Sequence, residues 1–353
     1  MHKLHQLSVA TLFSLVFIVI LIGCKKEQSS PEMVAGLTPY VLQIPKSLPP
    51  MVIPASNPMT EEGVALGKQL FFDPILSGDN TMACANCHKQ SFAFSDSTIQ
   101  FSIGIDKLPG TRNAMPLVNL GYQKQFFWDG GAADLESQVI GPIQNPVEMH
   151  ENLNNVLAEL NAHPTYPALF KKVFGADKIG TAMVMKAIAQ YERTIISGNS
   201  KFDQVKAGTA SFTPQEQRGM NWYVDMKKGD CAHCHVLGST FSDFEYRNTG
   251  LDSIPVDKGR GRITLNPTDD GKFKTPSLRN IALTAPYMHD GRFKTLEECI
   301  QHYNVGFKYT ANLDPNLDNI KKGRLNPADV QDIIAFLNTL TDTEFINNPK
   351  FKK

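Results

Sequence analysis

Cys84-Ala85-Asn86-Cys87-His88 and Cys231-Ala232-His233-Cys234-His235 repeat one pattern, C-x-x-C-H, 147 residues apart. Four of the six cysteines sit in these motifs, Cys24 follows an apolar N-terminal run and Cys299 stands alone, so no pair is left for a structural disulfide. C-x-x-C-H is the attachment pattern of haem c. Two thiols three positions apart reach the two vinyl groups on one porphyrin edge, and the His after the second Cys becomes the proximal iron ligand. Rival readings are a thioredoxin-like redox pair and two halves of a zinc site. A redox pair has no use for the adjoining His, and a zinc site would use the four thiolates together. The spacing therefore predicts two haem c groups, one on Cys84, Cys87 and His88 and one on Cys231, Cys234 and His235, with the two histidines on iron. Cys299, in the helix-like stretch Thr295 to Ile300, reads as a small buried hydrophobe.

The flanks of the motifs indicate a duplication. Thr60-Glu61-Glu62-Gly63 leads into Leu66, Leu70 and Phe71 before the first motif. Thr213-Pro214-Gln215-Glu216 precedes the second, with Thr213 and Glu216 spaced as a capping box and Pro214 suited to a first helical turn. Each module closes on a helical stripe, Val184, Ile188, Tyr191 and Ile195 in the first, Val330, Ile334, Leu337 and Leu340 behind Asn326-Pro327 in the second. No convincing run of alternating strands appears. The expected fold is mainly α: two cytochrome c-like domains, residues 58–204 and 205–345, each with one covalent haem c and long connecting loops. The length of 353 residues suits two domains.

Lysine plus arginine and aspartate plus glutamate both number 35, so the chain lacks the basic excess of a nucleic-acid binder. Leu7 to Ile22 is an apolar run of 16 residues, short for a membrane span and suited to a signal-peptide core. It ends in Leu21-Ile22-Gly23-Cys24, which resembles the bacterial lipoprotein box, so residues 1–24 read as a lipoprotein signal peptide with Cys24 taking the lipid. An uncleaved N-terminal anchor is the alternative. In either case the body is exported, and residues 25–57, rich in Pro and Ser, read as a tether.

Between and after the motifs run Leu70-Phe71-Phe72-Asp73-Pro74, Phe127-Trp128-Asp129-Gly130, Gly141-Pro142-Ile143 through Glu148-Met149, Tyr191-Glu192-Arg193-Thr194, Phe273-Lys274-Thr275-Pro276-Ser277-Leu278-Arg279-Asn280 and Pro286-Tyr287-Met288-His289-Asp290-Gly291. In this order, over residues 58 to 342, they resemble the bacterial di-haem cytochrome c peroxidase family, including its MauG-type branch. The resemblance implies that the haem on His88 is peroxidatic and the haem on His235 transfers electrons. It implies that Glu148 and Gln138 line the distal face of the first haem, with Pro142 shaping the pocket, and that Trp128 relays electrons between the haems. It also implies a calcium ion held by Asn113, Thr284 and Pro286, and a homodimer. A carboxylate in the place of Glu148 suits the chemistry, because a base must take a proton from bound peroxide and return it to the leaving oxygen.

Two positions depart from the peroxidase pattern. Where many members carry a histidine that blocks the active haem, this chain has Ile105, and no histidine lies between His88 and His150. A hydrocarbon cannot ligate iron, so the first haem is expected to be open in the oxidised protein. Where the peroxidases carry a methionine ligand to the second haem, the chain has Tyr303, as MauG-type members do; Met288 is the competing sixth ligand, and neither residue is a third possibility. His150 and His163 read as loop residues, His233 as a variable motif position and His289 as a structural hydrogen-bonding residue. The leading expectation is a periplasmic, lipid-anchored cytochrome-c peroxidase that reduces hydrogen peroxide with electrons from a small cytochrome c or cupredoxin. MauG-type oxidation of a partner protein and a non-catalytic electron-transfer cytochrome are the alternatives.

Overall fold

The computed structural model describes residues 34–318 and 322–353, so the signal-peptide and Cys24 readings lie outside the described residues. The first half begins with α1 (Glu61–Phe71), started by Thr60, whose hydroxyl accepts from the Gly63 amide at 3.0 Å. The first motif forms α2 (Cys84–Cys87). Then follow α3 (Leu135–Gln138), α4 (Ile140–Gln144), α5 (Leu153–Ala162), α6 (Tyr166–Phe174) and the closing helix α7 (Thr181–Arg193). After α8 (Lys201–Lys206), the second half repeats the plan with α9 (Pro214–Val224), α10 (Arg260–Thr264), α11 (Leu296–Gln301), α12 (Pro315–Asp318) and the closing helix α13 (Pro327–Asn338), followed by α14 (Thr343–Asn347). The capping box of Thr213 and Glu216 and the Asn326 cap are both formed. The only ladder among the described residues is a two-residue ribbon, β1 (Tyr246–Arg247) antiparallel to β2 (Phe273–Lys274).

In each half an opening helix crosses a closing helix at a glycine. A Cβ on Gly67 of α1 would stand 1.8 Å from the Ala187 carbonyl oxygen of α7. A Cβ on Gly219 of α9 would stand 1.8 Å from the Asp332 carbonyl oxygen of α13. The backbones therefore touch, and the flanking apolar residues close over the crossing. Leu66, Leu70, Val184 and Ile188 are buried in one core, and Tyr223, Val330, Ile333 and Phe336 in the other. Each such side chain contributes about 1.5–3 kcal/mol on leaving water. The stripe on α13 differs at one position from its sequence reading: Ile333 and Phe336 fill the core while Ile334 is only partly buried.

Residues 34–57, read as tether, lie against the first half. Ser47 Oγ donates to the Gly198 carbonyl at 2.7 Å, Tyr122 Oη to the Pro49 carbonyl at 2.9 Å, and Met51 is buried. Their apolar residues find partners on the body, which a free spacer would not. Among the described residues no helix is long and apolar enough to cross a membrane.

Candidate functional site

The two motifs share one local geometry. His88 donates from Nδ1 to the Phe94 carbonyl oxygen at 2.9 Å, and His235 donates from Nδ1 to the Phe241 carbonyl oxygen at 3.2 Å. Both carbonyls come from residues in left-handed backbone, Phe94 at φ 58° and Phe241 at φ 53°. A side chain held in a sparse region of this kind costs of order 1–3 kcal/mol and persists only where its surroundings demand it. With Nδ1 committed as a donor, Nε2 keeps its lone pair, the state a metal ligand needs. Burial lowers the His88 pKa and brings that of His235 down to about 4, so both rings are neutral at pH 7. Sequence reading missed this pairing, although its signal is plain: Phe94-Ser95-Asp96 and Phe241-Ser242-Asp243 stand at the same distance behind the two histidines.

The four motif thiols carry no disulfide. Burial pushes Cys84 and Cys231 up to about 12 and Cys87 and Cys234 up to about 11. Redox-active pairs need a depressed thiol pKa, so the thioredoxin-like reading does not suit these sites. No three His, Cys, Asp or Glu side chains converge for a metal among the described residues, which sets the zinc reading aside as well. Haem c fits what is present: paired thiols, a neutral imidazole with Nε2 free and, beside the second motif, an apolar cavity walled by Pro276, Leu278, Ile281, Ile300 and Leu337.

Around the first motif, Glu148 is partly buried in the turn after α4 and accepts from Asn145 Nδ2 at 2.6 Å. Burial raises its pKa above the ordinary value, with Asn145 opposing. Behind burial, Glu192 raises the Cys84 thiol and Asp96 the Cys87 thiol, and Glu148 adds a smaller contribution to each. The loop bearing Ile105 is fixed to the same turn. Ile105 N donates to the Glu148 carbonyl at 2.9 Å, a Cβ on Gly104 would lie 2.4 Å from the Val147 carbonyl oxygen, and His150 pairs with Asp106. Gln138 ends α3, which Asp134 caps; the residue is partly buried and its side-chain amide makes no hydrogen bond among the described residues.

Trp128 lines the second cavity and donates from Nε1 to the Asn113 carbonyl at 2.8 Å. Its neighbour Phe127 turns the other way and packs over Gly141 of α4, ahead of Glu148. Phe127 thus packs against the first-half core and Trp128 against the cavity of the second motif. Lys274, which the sequence reading left without a role, is buried beside them; its N donates to the Trp128 carbonyl at 2.8 Å and its Nζ to Gln123 Oε1 at 2.6 Å. Burial brings its pKa down to about 7. Asn113, Thr284 and Pro286 also border the second cavity. Asn113 Nδ2 donates to the Gln100 carbonyl at 3.1 Å, and neither its Oδ1 nor the Thr284 and Pro286 carbonyls accept a hydrogen bond among the described residues.

Tyr303 and Met288 both enter the second cavity with Cys299. Tyr303 lies on a π-helical turn, His302–Gly306, that extends α11. Such turns concentrate at functional sites. Burial, and then the neighbouring Cys299, hold its phenol above the ordinary pKa. Met288 has φ 73°, as Phe127 has 64°, and the two residues hold matching places in a second repeat, Leu117-Val118-Asn119 to Ala132 against Leu278-Arg279-Asn280 to Phe293. Cys299 borders the cavity rather than the core. His289 is buried and stacks on Phe273 at 3.6 Å, with Nδ1 unpaired. His150 is exposed, and His163 caps the end of α5.

Twin helical crossings, twin C-x-x-C-H motifs and a turn bearing a partly buried acid in the first half point to the di-haem peroxidase class. Residues 61–211 match the family described as di-haem cytochrome c peroxidase. Over 300 residues the chain is 36% identical to the methylamine utilization protein MauG of Methylorubrum extorquens, covering 84% of this chain and 82% of that one. It is likewise 36% identical over 313 residues to the cytochrome c551 peroxidase of Nitrosomonas europaea, covering 85% of each. A MauG-like protein associated with microbial copper homeostasis superposes with a TM-score of 0.81 at 33% identity, covering 89% of this chain and 99% of that one. The chain belongs to the di-haem cytochrome c peroxidase and MauG family, whose members carry two haems.

Proposed function

We propose that the protein is a cytochrome-c peroxidase that reduces hydrogen peroxide to two waters, consuming two electrons and two protons. The observation that carries this reading is Glu148, a partly buried carboxylate that Asn145 Nδ2 holds at 2.6 Å in the turn tied to the Ile105 loop, with its pKa raised by burial. On this reading each half is a cytochrome c-like domain with one haem c, attached through Cys84 and Cys87 with His88 on iron and through Cys231 and Cys234 with His235 on iron. A haem held by these residues would supply a ferric iron as the redox centre for peroxide.

The chain's own residues supply the rest. Ionised Glu148 takes the proton from the inner peroxide oxygen and delivers it to the outer one, which leaves as water. Asn145 holds the carboxylate by its Oε1, which leaves Oε2 as the basic oxygen. Gln138 orients peroxide or water as a neutral donor. Ile105, tied back to Glu148, keeps a side chain without donor atoms where a histidine ligand would block the site. Trp128 carries electrons from the second centre, where a small cytochrome c or cupredoxin docks. A calcium ion on Asn113 Oδ1 and the Thr284 and Pro286 carbonyls, all hard oxygen donors, would fix the spacing of the two centres. Export to the periplasm, a lipid on Cys24 and a homodimer complete the reading.

The test is Glu148→Gln. Peroxide turnover falls by about 10²–10⁴-fold with both haems retained if Glu148 is the base; unchanged turnover would overturn the assignment. Tyr303 in the second cavity favours one further reading, MauG-type oxidation of a partner protein, since a phenolate ligand suits ferric and higher states where a thioether suits ferrous iron.

A further inference from the structure

The chain exchanges arms between its two halves. After the closing helix of the first half, α8 leaves that half and packs into the second. Phe202 lies edge-on to Phe241 with ring centroids 4.8 Å apart and joins the core of Tyr223 and Phe336. Asp203, next to it, accepts from both terminal guanidinium nitrogens of buried Arg279, at 2.7 and 2.9 Å, and that guanidinium lies 5.6 Å over the Phe241 ring. After the closing helix of the second half, α14 and the residues behind it return to the first. Phe345 and Phe351 pack on Phe94 at 5.8 and 5.7 Å. Gln90 fastens them there, donating from Nε2 to the Phe345 and Asn348 carbonyls at 3.1 and 2.8 Å.

The arms cross at one buried knot. Asp342 Oδ2 accepts from Ser197 Oγ at 3.0 Å, Gly198 N at 3.0 Å and Asn199 N at 2.9 Å. Asn280 Oδ1 accepts from Asp342 N at 2.8 Å while its Nδ2 donates to Ser197 Oγ at 3.0 Å. The exchange is therefore fixed rather than incidental: at the crossing each chain segment has its polar groups satisfied by the other.

Phe94 and Phe241 are the residues whose carbonyls hold His88 and His235. Both sit in left-handed backbone that needs support from outside. We propose that the arms are reciprocal positioning elements, each setting the proximal histidine of the half it did not come from: Phe345 and Phe351 set His88, and Phe202 sets His235. This rests on the reading of both histidines as haem ligands. A hydrogen bond at Nδ1 makes the imidazole a stronger donor to its metal. Loosening the phenylalanine prop weakens that bond, and the reduction potential of the iron on that histidine rises.

The experiment uses the purified full-length holoprotein with Phe345→Ala and Phe202→Ala, reading the midpoint potential and ferric electron paramagnetic resonance of each haem separately. A haemochrome count on the unaltered protein comes first: fewer than two covalent haems would overturn the ligand reading on its own terms. Given two, the expected pattern is crossed. Phe345→Ala, although it belongs by sequence to the second half, shifts the potential of the His88 haem upward and leaves the other in place; Phe202→Ala does the reverse. If either alanine variant fails to mature, Phe345→Leu and Phe202→Leu keep most of the volume and carry the same crossed pattern at smaller amplitude. Shifts confined to the half that precedes each arm, equal shifts at both haems, or none would overturn the proposal.

Discussion

Ile105 donates its main-chain N–H to the carbonyl oxygen of Glu148 at 2.9 Å. The residue that the family resemblance sets at the blocking-histidine position is therefore joined through the main chain to the residue proposed as the catalytic base. Burial, opposed by Asn145, holds the Glu148 pKa above its ordinary value. A base works only while ionised, so the rate of reaction with peroxide should fall as pH drops through that raised pKa. The acid limb is expected above about 4.3, the usual glutamate value. Stopped-flow rates across pH check it, and in Glu148→Gln the limb should vanish with the activity.

The sixth position of the second haem can be read by spectroscopy. If Tyr303 is the ligand, Tyr303→Phe turns that haem high-spin while Met288→Leu leaves it low-spin. The reverse pattern, with a sulfur-to-iron charge-transfer band in the unaltered protein, would assign Met288. The π-helical turn of His302–Gly306 is the structural reason to expect Tyr303.

The two helix crossings have no room for a methyl group. Gly67→Ala and Gly219→Ala each drive a Cβ to within 1.8 Å of a backbone carbonyl on the facing helix. Backbone cannot swing aside as a side chain can, so each change should cost at least the ~1–3 kcal/mol typical of overpacking. Denaturant unfolding of the holoprotein would show this as a lower midpoint, and an unchanged midpoint would mean that the helices separate freely.

Asp342→Ala removes the acceptor shared by Ser197, Gly198 and Asn199. Buried donors left unsatisfied cost about 1–3 kcal/mol each. The expected result is a loss of several kcal/mol in chemical denaturation, larger than for Glu344→Ala, whose carboxylate accepts from the Asn199 side chain at the exposed end of the same arm.

The duplicated motifs, the caps at Thr213 and Asn326 and most of the two closing stripes were legible in the sequence, because caps and apolar periodicity are local signals. The long-range features were not. Nothing local tells Phe345 that it will prop Phe94, or Asp342 that it will meet Ser197, since both contacts depend on the two halves being already docked. Residues 34–57 misled for a related reason: proline and serine mark a spacer by composition, while Met51 and Ser47 find their partners only on the folded body. Of the candidate site residues, Trp128, Tyr303 and Met288 line the cavity beside the second motif, and Glu148 lies in the turn after α4. Gln138 has no partner to show its role. The shared Phe-Ser-Asp behind each histidine was visible but carries no meaning until the φ of Phe94 and Phe241 is known.

The central claim is an open first haem over a working base. The direct measurement is the electron paramagnetic resonance spectrum of the fully oxidised protein before and after one equivalent of hydrogen peroxide. The account predicts a high-spin ferric signal that disappears on adding peroxide, with no prior reduction. Two low-spin signals that peroxide leaves unchanged would contradict it.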